Sequence, residues 1–170
     1  MEHLRSLVRD IPDFPQPGIL FRDVTPLLRD SAALRQVTMA FAERFRGRVD
    51  AVAGIESRGF IFGAPLAMEL GVGFVPIRKI GKLPAAKRTR EYALEYGTAT
   101  LEIHDDAVAP GERVLLLDDL LATGGTAHAA ASLVEAVGGT VEAVAFVIEL
   151  LFLDGRRALE GHEVHALLAY

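Results

Sequence analysis

Residues 114–126, Val-Leu-Leu-Leu-Asp-Asp-Leu-Leu-Ala-Thr-Gly-Gly-Thr, constrain this chain more than any other stretch. Residues 114–117 form a continuous apolar run, the pattern of a strand buried on both faces of a parallel sheet. Asp118 and Asp119 are expected at the C-terminal end of that strand. Ala122, Thr123, Gly124, Gly125 and Thr126 then make a small glycine-rich turn that opens onto a helical pattern over residues 127–137. Free backbone N–H groups at a helix start, together with the helix dipole, favour an anion there. Glycines allow close approach, and Thr123 and Thr126 add hydroxyl donors. Two carboxylates would repel that anion, so they should face sugar hydroxyls, and the stretch reads as a site for a sugar phosphate. No Gly-Lys-Ser/Thr follows, and Gly-x-Gly-x-x-Gly is absent, so neither a Walker loop nor a dinucleotide fingerprint is present. A strand, a Gly-Gly turn and a helix also occur in α/β proteins that bind nothing. Two consecutive carboxylates ending a buried strand, however, are costly without partners.

Length sets the frame for that site. The 170 residues suggest one domain, 1–170, able to bury roughly 70% of its unfolded surface. A net charge of −5 does not suggest a nucleic-acid partner, and the absence of cysteine excludes disulfides, thiolate catalysis and Cys-ligated metal. No apolar run approaches the ~18 residues of a membrane span. The charged, amphipathic N-terminus does not read as a signal peptide, so a soluble cytoplasmic protein is expected.

Taken in order, residues 1–10 predict a short helix, broken by Pro12, Pro15, Pro17 and Gly18. Residues 19–23, Ile-Leu-Phe-Arg-Asp, are expected as a loop whose apolar side chains cover either core or a flat ligand. Asp30 or Ser31 caps a helix to about Arg46, with Leu34, Val37, Phe41 and Phe45 as its apolar stripe. Residues 49–55 predict a second buried strand, ending in Glu56-Ser57-Arg58-Gly59. Open α/β sheets bind ligands at such strand ends, and a guanidinium forks onto phosphate oxygens, so Arg58 is a candidate for pyrophosphate. The alternative is a surface ion pair with Glu56. Residues 59–70 predict an apolar helix and 74–77 a third strand, ending at Arg78-Lys79. Residues 80–91 then carry Lys82, Lys87, Arg88 and Arg90 against one glutamate. In an acidic chain that excess suits a mobile lid over pyrophosphate, although an ordinary solvated loop has the same composition. Residues 92–104 alternate and predict a hairpin turning at Gly97-Thr98. Spacing does not choose between Glu95 and Glu102 for any role. Residues 141–150 and 164–168 predict the last strands, with a turn at Asp154-Gly155 and a short helix between them. The five histidines show no convincing ligand spacing.

The stretch 114–126 resembles the phosphoribosyl-pyrophosphate (PRPP) signature of the type I phosphoribosyltransferases, and its wording resembles the adenine-specific branch. Three further segments resemble that branch in the right order: the Pro-rich segment through Phe21-Arg22-Asp23, Glu56-Ser57-Arg58-Gly59, and Gly81-Lys82-Leu83-Pro84 with Leu94-Glu95-Tyr96-Gly97. The resemblance spans nearly the whole chain. It implies an α/β fold, a mostly parallel sheet flanked by helices, with a small hood and a flexible loop or hairpin. It also implies an unusual, often cis, peptide at Glu56-Ser57. The activity it implies is purine salvage: adenine plus PRPP giving AMP plus pyrophosphate, in a homodimer with Mg²⁺ bridging ribose hydroxyls and pyrophosphate oxygens. On the resemblance, Phe21 stacks on the purine while Leu20 and Arg22 offer it backbone groups. Asp118 and Asp119 hold the ribose diol, and residues 122–126 hold the 5′-phosphate. Ser57, Arg58, Arg78, Lys79 and Lys82 serve the pyrophosphate, and Glu95 accepts the purine proton. The chain departs from the family at Lys87 and Arg88, where members commonly carry a Thr two residues before a β-branched residue. Two other readings share the fold: a PRPP-binding regulator, and a transferase for another purine such as xanthine.

Overall fold

The computed structural model describes residues 1–93 and 97–170. A seven-stranded sheet runs through it in the order β5-β6-β4-β3-β7-β8-β9. Its strands are β3 (Ala51–Ile55), β4 (Gly73–Lys79), β5 (Lys87–Ala93), β6 (Thr98–His104), β7 (Arg113–Leu121), β8 (Thr140–Glu149) and β9 (Val164–Ala169). β4, β3, β7, β8 and β9 are mutually parallel, while β6 runs antiparallel to β4 and β5 to β6. A separate antiparallel ribbon pairs β1 (Arg9–Pro12) with β2 (Leu20–Asp23). The helices are α1 (Glu2–Ser6), α2 (Thr25–Arg29), α3 (Ser31–Phe45), α4 (Arg58–Leu70) and α5 (Gly125–Ala136).

β3 and most of β7 are apolar on both faces because each face has a core to fill. Val52, Leu115, Leu117, Ala143 and Ala145 point toward α3 and α4, where Phe41, Phe45 and Phe62 are almost fully buried. Ala53, Ile55, Leu116, Val144 and Phe146 point the other way, toward the alanine-rich face of α5. Each large side chain so buried contributes about 1.5–3 kcal/mol. Local signals fix the helix ends. The Asp30 carboxylate accepts from the Ala33 N–H at 2.9 Å and caps α3, and Gly71 closes α4 in a left-handed turn with φ of 72°.

Four expectations need correction. β7 does not end at the acidic pair: it runs on to Leu121, because β8 keeps pairing with it through Leu120↔Ile148 and Leu121↔Glu149. The basic segment 87–91 is not loop but most of edge strand β5, paired with β6 from Lys87↔His104 to Ala93↔Thr98. An edge strand with both faces partly solvated tolerates charge, so it lacks the alternation that would have announced it. The segment expected as a loop at 19–23 is largely strand β2, and the N-terminal helix ends at Ser6 with residues 9–12 extended against it. The peptide at Glu56-Ser57 is cis, as the family resemblance implied.

Candidate active site

β3, β4 and β7 all end on one edge of the sheet, and the first turn of α4 is laid directly over β7. A Cβ at Gly59 would lie 2.6 Å from the Leu117 carbonyl and 3.2 Å from Asp118 Oδ1, so only glycine allows this approach. The contact brings Arg58 to the acidic pair. Its guanidinium donates from Nε to Asp119 Oδ2, and Asp119 is almost fully buried. Asp118 Oδ1 accepts from the Asp119 N–H at 2.8 Å. Burial first, and then the neighbouring Asp119 charge, push the Asp118 carboxyl well above the usual carboxylate range. Desolvation works against the Arg58 charge, but Asp119, Asp118 and Asp23 outweigh it and strengthen the cation. Arg58 therefore does not pair with Glu56. Glu56 binds Arg78 instead, at 3.2 and 3.3 Å, and accepts from the Lys79 N–H at 2.9 Å.

Beyond the acidic pair the chain turns through residues 122–126 into α5. Gly124 holds φ of 85°, and a Cβ there would lie 2.3 Å from the Gly155 carbonyl oxygen. Asp118, Ala122, Thr123, Gly124 and Thr126 help line a cup of about 70 Å³. With liquid water taking roughly 30 Å³ per molecule, that is room for a small anion. The cup adjoins a groove of about 640 Å³ lined by Leu20, Phe21, Arg22, Arg58, Thr123 and Phe152, among others. The Arg58 guanidinium carbon lies 5.9 Å from the centre of the Phe21 ring. One side chain thus binds the acidic pair and faces the aromatic wall of the groove. The Arg22 side chain is turned elsewhere: it pairs with Asp10 and lies 4.1 Å over the Tyr170 ring.

The basic side of the site comes from β4 and the turn after it. Arg78 Nη1 donates to the Lys82 carbonyl at 3.2 Å, and Lys82 itself is exposed. Lys79, Lys82 and Lys87 are the only lysines in the chain, and all three lie on this loop and its flanking strands. Ser57 precedes α4 and makes no side-chain cap. Glu95, expected to accept the purine proton, lies outside the described residues, as do Leu94 and Tyr96. Among the described residues no group of three or more His, Asp or Glu side chains is arranged to hold a metal ion.

A family model described as "Phosphoribosyl transferase domain" matches residues 23–163. An adenine phosphoribosyltransferase from Methylococcus capsulatus is 61% identical over 171 residues, covering 100% of both chains. The chain belongs to the adenine phosphoribosyltransferase family. The solved adenine phosphoribosyltransferase of Thermoanaerobacter pseudethanolicus superposes with a TM-score of 0.96 at 52% identity, covering 99% of each chain. That of Saccharomyces cerevisiae, crystallised with adenine and an imino-altritol bisphosphate, superposes at 0.93 with 42% identity, covering 98% of this chain and 97% of that one. The mostly parallel sheet with flanking helices is the fold of these adenine phosphoribosyltransferases.

Two features of the site escaped the sequence reading. Gly155, which backs directly onto Ala122 and Gly124, read only as part of a turn. Glu102 is fully buried on β6 and accepts from the Lys82 N–H at 2.7 Å, yet by spacing it was one glutamate of two. The apolar residues on either side of it, Leu101 and Ile103, were the available sign that this stretch of strand is enclosed.

Proposed function

We propose that this chain transfers the 5-phosphoribosyl group of PRPP to adenine, forming AMP and releasing pyrophosphate, as one catalytic domain spanning residues 1–170. The observation that carries the residue assignment is Arg58, which faces the acidic pair on one side and the Phe21 ring on the other. In that reading the 5′-phosphate occupies the cup at Ala122, Thr123, Gly124, Gly125 and Thr126, held by free N–H groups at the start of α5. Asp118 and Asp119 accept from the ribose diol. Adenine lies on Phe21 beside Leu20 and Arg22, in the groove these residues line, and the yeast relative is crystallised with adenine.

The reaction is a displacement at the anomeric carbon. The bond from that carbon to the purine nitrogen forms as the bond to pyrophosphate oxygen breaks, and the nitrogen's proton passes to Glu95. Charge grows on the departing pyrophosphate, so Arg58, Arg78, Lys79 and Lys82, with the Ser57 hydroxyl, lower the barrier by electrostatics rather than by covalent chemistry. Asp118 and Asp119, the latter paired with Arg58, are the carboxylates that would help hold a Mg²⁺ bound with PRPP. Mg²⁺ would supply charge neutralisation of the pyrophosphate. A cytoplasmic homodimer completes the reading.

A spectrophotometric assay with PRPP, Mg²⁺ and, separately, adenine, hypoxanthine, guanine and xanthine tests it. Turnover of adenine alone is expected. Turnover of another base keeps the PRPP site and overturns the adenine assignment, and tight PRPP binding without turnover of any base overturns the enzymatic reading.

A further inference from the structure

Glu102 is a carboxylate with no solvent exposure, in a stretch of β6 where an apolar side chain would be cheaper to bury. Its contacts all lead to one place. Oε1 accepts from the backbone N–H groups of Lys82 and Leu83. Oε2 makes no hydrogen bond and lies 3.3 Å from Lys87 Nζ. Lys87 Nζ donates in turn to the Leu83 carbonyl at 2.6 Å. His104 Nε2 lies 2.8 Å from the Pro84 carbonyl. In register opposite Glu102 on β4 is Arg78, whose guanidinium bonds the Lys82 carbonyl and is itself held by Glu56. The Lys82 peptide is thus gripped at its N–H by Glu102 and at its C=O by Arg78, while its ammonium group is left at the surface.

We propose that Glu102 is a positioning residue for the transfer reaction: its buried carboxylate, with Lys87 as counter-ion, fixes the 81–83 turn and presents Lys82 to the pyrophosphate at one point. Burial pushes the Glu102 carboxyl up. The N–H groups of Leu83, Gly81 and Lys82 and the Lys87 ammonium outweigh that and hold it below the usual glutamate value, so it is an anion at neutral pH. Two convergent N–H donors stabilise that anion, and Lys87 makes it tolerable inside the fold.

The inference rests on the reading of Lys82 as a pyrophosphate ligand, and a double-mutant cycle separates the two. Steady-state constants for Mg²⁺-PRPP and for adenine are measured on the native chain, E102Q, K82M and E102Q/K82M. E102Q is expected to lower kcat/KM for PRPP about tenfold with the adenine KM within about twofold, and to cost less than about twofold once Lys82 is gone. An equal loss in both backgrounds, or a flat E102Q beside an impaired K82M, overturns the inference alone. A flat K82M overturns the reading of Lys82 and this inference with it. Should circular dichroism show E102Q unfolded, K87M takes its place in the cycle. A loss of about threefold that disappears in the K82M background, and that K87R restores, is then expected. The same loss in both backgrounds overturns the inference.

Discussion

Asp118 is held in an environment that favours its neutral form, and this has a measurable cost. Its carboxyl is raised above the unfolded value by burial and by Asp119. The folded state therefore gains from it fully at pH values below the unfolded pKa of about 3.8, and loses that gain as pH rises through the raised folded value. Asp118→Asn removes the ionisation. It should raise Tm at pH 7–8, leave it unchanged below about pH 4, and sharply lower turnover, which thermal melts across pH together with the adenine assay will read. Phe21 makes the complementary case. Stacking of a base on an aromatic ring is worth about 1–3 kcal/mol, so Phe21→Ala should raise the adenine KM by roughly five- to hundredfold while the PRPP KM moves little. At this scale the sequence told much about which residues matter and less about whom they meet. Arg58 stood out because a strand end carries ligands. Its partner Asp119 lies 61 residues away on a different strand, and nothing local distinguishes that pairing from the nearer Glu56.

Among the elements, the 122–126 loop, the proposed phosphate site, depends on a segment that carries no recognisable motif. After β8 the chain passes through two 3₁₀ turns, Leu151–Leu153 and Gly155–Leu159, and the second lies against the loop. A Cβ on Gly155 would fall 2.2 Å from the Ala122 carbonyl oxygen and 2.9 Å from Leu121 Cδ1. Gly155→Ala should therefore push the loop out of shape. Overpacking of this kind costs about 1–3 kcal/mol, and a rise of roughly tenfold in the PRPP KM with adenine binding preserved is the expected kinetic result. β7, α5, α3 and α4 were legible because each has two signals, an apolar pattern and a cap or glycine. β2 and β5 were not. One is four residues long, and the other is a charged edge strand whose order comes from pairing with β6, not from its own composition.

For the molecule as a whole, topology does what no single motif does. Because β3, β7 and β4 are neighbours in parallel, the turns after them, far apart in sequence, share one edge of the sheet, and the β1–β2 ribbon supplies the aromatic wall from outside it. This assembly is long-range and could be anticipated only by resemblance. The proposed homodimer predicts a mass of about twice the 18.3 kDa of the chain by light scattering at assay concentrations. The distribution of lysine has a further consequence. Since Lys79, Lys82 and Lys87 are the chain's whole complement, an amine-selective acylating reagent meets its targets on one side of one site, with the α-amino group as the only other. Lys82 should acylate readily, and Lys87, tied to Glu102 and the Leu83 carbonyl, should lag behind it. Peptide mass mapping with and without Mg²⁺-PRPP would then report occupancy of the proposed pyrophosphate position, with saturating substrate expected to protect Lys82 and leave the α-amino group to react at its usual rate.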